Sequence, residues 1–133
     1  DAGSDKISKG IRIFREKNEI PFIHFFKNMS PENFLKLLIN SKCLIGNSST
    51  GIRECSFLGI PVVNIGDRQK RRLRAKNVLD VDYNSLEITD AIKFQIKNGK
   101  YMKSTIYGDG NAGEKIADLL ATVKFSIEKQ ITY

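Results

Sequence analysis

The sequence is poor in the residues on which several large classes of protein depend. It has one histidine and two cysteines among 133 residues, and no apolar run approaches the roughly 20 residues that a membrane helix needs. Its first residues have neither the basic start nor the apolar stretch of a secretory signal. Cys43 and Cys55 lie among apolar neighbours. We therefore expect two buried free thiols in a reducing, cytoplasmic compartment, and no membrane partner.

The single histidine excludes further classes of enzyme. A serine hydrolase needs a histidine base, but His24 lies inside an apolar run and is expected to be a packed strand residue. Cysteines, histidines and acids do not cluster at zinc-ligand spacing, so no metal or other cofactor is expected. The chain also lacks an initiating methionine, and we expect it to begin inside a longer protein.

Positive charge is present in excess, but it is concentrated in one place. The net charge is +7, and six of the 22 basic residues fall between residues 68 and 76. The other basic residues are scattered and interleaved with acids. A single basic loop suits a small anionic ligand better than a duplex, and this one contains no aromatic residue on which a base could stack. A nucleic-acid-binding module is the weaker alternative.

Short apolar runs alternate with helical patterns along the chain. Four runs predict strands: Phe22–Phe26, Cys43–Gly46, Pro61–Ile65 and Val78–Val81. Five stretches predict helices: Ser4–Lys17, Ser30–Asn40, Thr50–Leu58, Ser85–Lys97 and Asn111–Ile127, the last with Ile116, Leu119, Leu120 and Val123 facing inward. This alternation predicts one α/β domain, a Rossmann-like parallel sheet flanked by helices. A domain of this class opens on a strand, so we expect its first strand to be missing.

The stretch after the second predicted strand is the most informative one. A small polar turn from Gly46 to Gly51 joins a strand to a helix, and ligands of parallel sheets bind beyond such strand ends. Its backbone N–H groups and the hydroxyls of Ser48 and Ser49 suit phosphate oxygens. Glu54, further along the helix, suits ribose hydroxyls. A helix-capping turn without a ligand is an equally weighted alternative. The turn lacks the Gly-Lys-Ser/Thr of a Walker A loop.

Two other polar segments are candidates of unequal weight. Arg68 follows the next strand, so it opens on the same sheet edge, and its planar guanidinium suits a pyrophosphate. A solvated surface arginine is the alternative there. The glycine-rich turn at residues 107–113 precedes the last helix and is interpreted as a helix entry rather than a ligand site.

Together these segments resemble the carboxy-terminal domain of the UDP-N-acetylglucosamine 2-epimerases, which have the two-domain architecture of the GT-B glycosyltransferases. The resemblance covers Asp1–Ser4, Leu44–Glu54, Gly59–Gln69, Asn77–Val78 and Ile106–Ala112, nearly the whole chain and in the family's order. The Gly-Asn-Ser-Ser-x-Gly-x-Arg-Glu form and the Tyr-Gly-Asp-Gly-Asn-Ala turn are most similar to the hydrolysing branch.

The resemblance implies a role for individual residues. Ser48 and Ser49 would contact the diphosphate, Glu54 the ribose, and Arg68 the nucleotide. The backbone near Met29 would line the uracil. The family's catalytic acids lie in its amino-terminal domain and a catalytic histidine lies upstream, so the resemblance implies no catalytic residue in residues 1–133.

This sequence departs from the family at one position. The family has Arg-Gln-x-Gly-Arg where this chain has Arg71 in place of the glycine, which puts a role for Arg72 in doubt. The function implied is the UDP-binding half of a hydrolysing epimerase, with a UDP-sugar, its own amino-terminal domain and identical subunits as partners. The alternatives are a non-hydrolysing epimerase and a GT-B glycosyltransferase domain.

Overall fold

The computed structural model of the protein describes residues 4–18 and 20–124. The chain divides into two compact units, Asp1–Asn33 and Phe34–Tyr133. In chain order the described elements are α1 (Ser4–Lys17), α2 (Pro31–Asn40), β1 (Leu44–Gly46), α3 (Ser49–Ile52), α4 (Glu54–Leu58), β2 (Val62–Ile65), β3 (Val78–Val81), α5 (Ser85–Asn98) and α6 (Ala112–Thr122). Within the described ranges, every helix is too short or too polar to cross a membrane.

The first unit contains α1, which has the predicted bounds. The predicted strand Phe22–Phe26 is wrong, because this stretch is irregular and pairs with no strand in the described part of the chain. The stretch forms a local turn, in which Ile23 N–H donates to Ile20 O. An apolar run becomes a strand only where a neighbouring strand completes its hydrogen bonds. His24, predicted to be packed in that strand, is exposed.

The second unit is built on a three-stranded parallel sheet in the order β1-β2-β3. The α/β prediction and three of the four predicted strands are therefore confirmed. In the register, Gly46 lies opposite Asn64, and Asn64 lies opposite Asp80. Because the strands are parallel, all three end at the same side, which we call the carboxyl edge. The opposite side is the amino edge.

The core lies on β2 and the helices nearest to it. Leu38, Cys55, Ile60 and Val62 form a buried cluster. Cys43 and Cys55 are free, as predicted, but Cys43 is only half-buried. Burial raises the pKa of the Cys55 thiol to about 12, with smaller contributions from the charges of Glu54 and Cys43. Cys55 therefore behaves as a small apolar side chain rather than as a nucleophile.

Two predicted helices differ from those in the structure. The predicted helix Thr50–Leu58 is two short helices, α3 and α4, which meet at Arg53 with φ −98° and ψ −74°. The last helix ends at Thr122, since Val123 is extended, and the predicted end at Ile127 lies outside the described residues. The side chains predicted to face inward from the last helix are 41–61% exposed: Ile116, Leu119, Leu120 and Val123. Their periodicity predicts an apolar face but not what covers it.

Polar side chains connect the elements at the amino edge. Gln95 Nε2 donates to Val62 O at 2.8 Å and to Asn77 O at 3.0 Å, and Gln95 Oε1 accepts from the Tyr101 hydroxyl at 2.7 Å. The Ser56 hydroxyl donates to Asn77 Oδ1 at 3.0 Å. We call Ser56, Asn77, Gln95 and Tyr101 the amino-edge network. It fixes α4, α5 and the start of β3 to the central strand.

Candidate functional site

Two polar loops open side by side at the carboxyl edge. The serine loop (residues 46–50) runs from the end of β1 into the first turn of α3, and the basic loop (residues 66–76) follows β2. Gly46, where the serine loop begins, is the register partner of Asn64, which lies two residues before the basic loop, so the two loops start close together on neighbouring parallel strands. This is the place where ligands of parallel sheets bind.

Ser48 is the amino-terminal cap of α3. Its backbone is extended, with φ −72° and ψ 145°, and its Oγ accepts a hydrogen bond from Thr50 N–H at 3.3 Å. The capping interaction weighed from the sequence is therefore present. A hydroxyl that accepts one hydrogen bond still has a hydrogen to donate, so capping and phosphate contact are compatible. Ser48 is exposed and Ser49 half-buried.

The length of α3 changes one part of the sequence argument. The helix after the serine loop has only four residues. A full macrodipole needs several aligned turns, so little positive field comes from this helix. Anion binding at the serine loop therefore has to rest on hydroxyls, backbone N–H groups and the neighbouring basic loop.

Gly51 has a packing role that the sequence did not reveal. It is buried in α3, and a Cβ atom there would lie 2.8 Å from Val62 Cγ1. The missing side chain lets α3 lie directly against β2. This contact fixes the height of the serine loop above the sheet. The predicted contact between the Gly51 backbone and a nucleotide stays a prediction.

Glu54 begins α4 and is exposed. It lines a pocket of about 470 Å³ together with Arg53, Phe57 and Tyr107. The pocket combines a carboxylate with apolar and aromatic walls. A nucleoside, which has vicinal hydroxyls and apolar base faces, matches that lining.

The basic loop leaves β2 through a tight turn. Gly66 has φ +77° and its N–H donates to Val81 O, which ties the start of the loop to β3. Lys70 N–H donates to Asp67 O at 2.7 Å, so a turn surrounds Arg68, which is exposed. Both ends of the turn are held by backbone bonds, and Arg68 projects from a fixed point of the edge.

Arg71 accounts for the departure from the family's pattern. It has φ +71°, the left-handed conformation that glycine adopts without strain. The loop has therefore kept the backbone shape that the glycine of the family's motif permits, with an arginine in its place. The left-handed backbone thus agrees with the family's pattern. Holding an arginine rather than a glycine in this conformation costs about 1 kcal/mol of stability.

Arg74 holds the far end of the basic loop to the sheet. Its Nε lies 3.0 Å from Asp80 Oδ2, and its terminal nitrogen lies 3.2 Å from Oδ1. Asn64, the register partner of Asp80, donates to the same Oδ1 at 2.6 Å. The sequence held a signal for this contact: a polar residue stands at the third position of each of two apolar strands. Arg74 is therefore engaged in holding the basic loop to β3.

Gln69 joins the two loops, and the sequence analysis missed it. It is 3% exposed, and its Nε2 donates to Asn47 O at 2.8 Å. Its Oε1 is buried without a hydrogen-bond partner among residues 4–18 and 20–124. The neighbour of Arg68 is thus bonded to the neighbour of Ser48, which brings the two predicted phosphate-binding segments together.

A larger pocket of about 640 Å³ lies on the other side of the basic loop, between β2 and β3. Its lining includes Asp67, Asp82 and Glu87 as well as Lys70. Arg74 also lines it, but that guanidinium is engaged by Asp80. Carboxylates repel a diphosphate, so charge favours the serine-loop side of the basic loop over this larger pocket.

The turn before α6 is a helix entry, as interpreted from the sequence. Asn111 N–H donates to Asp109 Oδ1, and Lys115 Nζ lies 2.6 Å from Asp109 Oδ2. The hydrogen bond from Lys115, with a smaller contribution from Asn111 N–H, holds the pKa of Asp109 below its usual value. The nearby Tyr107 hydroxyl donates to Leu73 O at 2.9 Å, a further attachment of the basic loop.

Met29 belongs to the first compact unit, whereas the other predicted site residues belong to the second. It is half-buried, and its backbone N–H donates to Asn28 Oδ1 at 2.9 Å. The assignment of this backbone to uracil stays a prediction.

Comparison with known proteins identifies the family of the chain. Residues 2–121 match the family model described as UDP-N-acetylglucosamine 2-epimerase. The chain is 34% identical over 111 residues to the UDP-N,N'-diacetylbacillosamine 2-epimerase (hydrolyzing) of Legionella pneumophila. The aligned residues make up 84% of the chain and 29% of that relative. It is 30% identical over 123 residues to the UDP-N-acetylglucosamine 2-epimerase of Neisseria meningitidis, covering 90% of the chain and 32% of that relative.

A shorter match has a higher sequence identity. Over 62 residues the chain is 47% identical to the GDP/UDP-N,N'-diacetylbacillosamine 2-epimerase (hydrolyzing) of Campylobacter jejuni, covering 47% of the chain and 16% of that relative. The chain thus spans about a third or less of the length of these three relatives.

Proposed function

The chain belongs to the UDP-N-acetylglucosamine 2-epimerase family, and from this premise we propose that it binds the UDP moiety of a UDP-linked N-acetyl sugar. One observation carries this function: the hydrogen bond from Gln69 to Asn47 O, which unites the serine loop and the basic loop at the carboxyl edge. Ser48 and Ser49 donate to the diphosphate, and Arg68 neutralises its charge. Glu54 accepts from the ribose hydroxyls, and the backbone near Met29 lines the base.

The reaction proposed for the complete protein follows the family's mechanism. A base removes the proton from C2 of the sugar, and the C1–O bond breaks with its electron pair leaving on the β-phosphate oxygen of UDP. Water then supplies a hydroxyl to C1 and a proton to the opposite face of C2. The chain stabilises the charge that develops on the departing UDP, an effect of the oxyanion-hole type. The groups that move protons belong to a separate, amino-terminal domain of a GT-B fold.

The hydrolysing outcome is supported by the names of two relatives, both called hydrolyzing. Product analysis of the complete protein tests it, with UDP-N-acetylglucosamine and its diacetylbacillosamine analogue as substrates. We expect free UDP and the free 2-epimerised sugar. A UDP-linked epimer as the product identifies the non-hydrolysing alternative, and transfer to an acceptor identifies a glycosyltransferase.

Calorimetry with UDP tests the site itself. We expect Ser49→Ala to weaken UDP binding by about 1–2 kcal/mol, because a hydrogen bond to a charged oxygen is lost. Ser41→Ala is the matched control, since Ser41 precedes β1 at the amino edge and donates to Leu38 O. Unchanged UDP affinity in Ser49→Ala would remove the serine loop from the site.

The 133 residues alone are expected to bind nucleotide weakly and to release no UDP. Epimerisation needs an acid and a base within about 2.6–3.2 Å of the atoms that they protonate or deprotonate. The carboxylates nearest to the proposed site are Glu54, which is assigned to ribose, and Asp67, which lies beside the basic residues of its loop and lines the other pocket. Incubation with UDP-N-acetylglucosamine measures this against a buffer blank. UDP release above the blank that disappears in Glu54→Gln would contradict it.

We also assign the complete protein to the cytoplasm and to an assembly of identical subunits. The two free cysteines support a reducing compartment. Sedimentation of the complete protein, with and without UDP, measures the assembly, and a monomer under both conditions would contradict it.

A further inference from the structure

The buried glutamine of the basic loop differs from an ordinary structural glutamine. Gln95, at the amino edge, is 1% exposed and both ends of its amide are bonded. Gln69 is similarly buried, but within the described part of the chain its Nε2 has a partner and its Oε1 has none. The donor position is fixed by Asn47 O, which accepts, so the unbonded atom is the acceptor Oε1.

The basic loop therefore contains two unfavourable features within three residues. A buried acceptor without a donor and a left-handed arginine at position 71 are each uncommon in a loop selected for stability alone. Both lie within three residues of Arg68, the predicted phosphate ligand. An apolar residue of similar size at position 69 would avoid the unbonded acceptor, but it would also leave the two loops unconnected.

We propose that Gln69 is a positioning residue: its amide holds the basic loop against the serine loop so that Arg68 faces the distal phosphate of the bound nucleotide. This role deepens the proposed function and rests on it. Gln69 touches no substrate. It acts through Arg68, and the hydrogen bond to Asn47 O sets how far Arg68 stands from Ser48.

The position of Gln69 predicts which part of the ligand its loss affects. The serine loop and Glu54 are attached to α3 and α4, and they keep their places when the hydrogen bond is removed. Arg68 loses its fixed distance from them. The binding of a nucleotide with two phosphates should therefore be weakened. The binding of a nucleotide with a single phosphate, which the serine loop and Glu54 hold, should change little.

The experiment compares UDP and UMP binding to the complete protein by calorimetry. Gln69→Met keeps the volume and removes the donor, and Gln95→Met is the matched control at the opposite edge. We expect Gln69→Met to lower UDP affinity about tenfold and UMP affinity by less than a factor of about three. Gln95→Met should lower the urea midpoint while leaving the ratio of UDP to UMP affinity unchanged.

A double-mutant cycle with Arg68→Ala separates positioning from general damage. If Gln69 acts through Arg68, adding Gln69→Met to Arg68→Ala causes no further loss of UDP affinity. Equal losses of affinity for UDP and UMP would overturn the positioning role. Additive losses of UDP affinity from the substitutions at positions 68 and 69 would also overturn it. If Gln69→Met does not fold, Gln69→Leu, which also lacks the donor and carries no charge, takes its place with the same readouts.

Failure of the proposed function gives a different result. In that case the unsubstituted protein binds neither UDP nor UMP, and the role of Gln69 falls with it. Binding by the unsubstituted protein that is weakened by Ser49→Ala but not by Gln69→Met sustains the function and rejects the positioning role.

Discussion

The two edges of one small sheet use buried polar side chains in opposite ways. At the amino edge, both ends of the Gln95 amide are bonded, and Asn77 both donates and accepts. At the carboxyl edge, Gln69 leaves its Oε1 without a partner among the described residues. Satisfied groups stabilise a fold, whereas unsatisfied ones occur where a ligand or a partner is handled.

Glycines show the same contrast. Gly59 (φ +68°) lies against the backbone carbonyl of Tyr101, and Gly66 (φ +77°) lies against the ring and hydroxyl of Tyr83. The first neighbour is main chain in a fixed segment. The second is a side chain that is 72% exposed. Close packing at the amino edge is therefore rigid, and close packing at the carboxyl edge can yield.

The largest expected effect on the free energy of unfolding tests this contrast between the edges at the two glycines. Gly59→Ala should lower the free energy of unfolding by about 3 kcal/mol, since left-handed strain adds to overlap with a backbone oxygen. Gly66→Ala should lower it by only about 1 kcal/mol, because the Tyr83 side chain can move away. Urea unfolding of both variants measures the difference. Equal losses would mean that the two edges are equally rigid.

A smaller effect of opposite sign is expected at Arg71. Arg71→Gly should raise the free energy of unfolding by about 0.5–1 kcal/mol, because glycine adopts φ +71° without side-chain strain. UDP affinity should change less than in Arg68→Ala. A destabilised Arg71→Gly variant would show that the arginine side chain makes a stabilising contact that outweighs the strain.

The smallest effect lies outside both edges, at Asp109. The pKa of Asp109 is depressed chiefly by the hydrogen bond from Lys115. The ionised carboxylate therefore stabilises the fold at any pH above the ordinary aspartate pKa of about 3.9. This contribution is lost as the pH falls through the lower, folded-state pKa. Lys115→Met should move the pKa of Asp109 upward, toward its usual value. Carboxyl chemical shifts against pH measure it. An unmoved pKa would assign the depression to Asn111 N–H instead.

Most of the sheet could be predicted from the sequence, for a physical reason. Val62–Ile65 and Val78–Val81 are short, rich in branched residues and bounded by turns, and central strands of a parallel sheet have that composition. Phe22–Phe26 has similar composition without being a strand. Composition describes a segment, but a strand also needs a neighbour, and nothing within the segment specifies one.

The candidate site was predictable in its loops but not in their connection. Ser48 and Arg68 could be placed at strand ends because polar turns follow apolar runs. Gln69 was missed because a glutamine beside a basic run resembles a solvated residue. Its value comes from a bond to Asn47, 22 positions away in sequence, and side-chain contacts over that distance leave no local pattern.

The segment after α5 has a consequence for the order in which the domain is made. Tyr101 N–H donates to Gly59 O and Ser104 N–H donates to Ser56 O, so this segment completes the amino edge. The strands and loops of the carboxyl edge are all synthesised by Tyr83. At about 5–20 residues per second, a ribosome takes on the order of one to four seconds to travel from there to Ser104. During synthesis, the serine loop and the basic loop are therefore complete in sequence before the amino edge that stabilises the sheet.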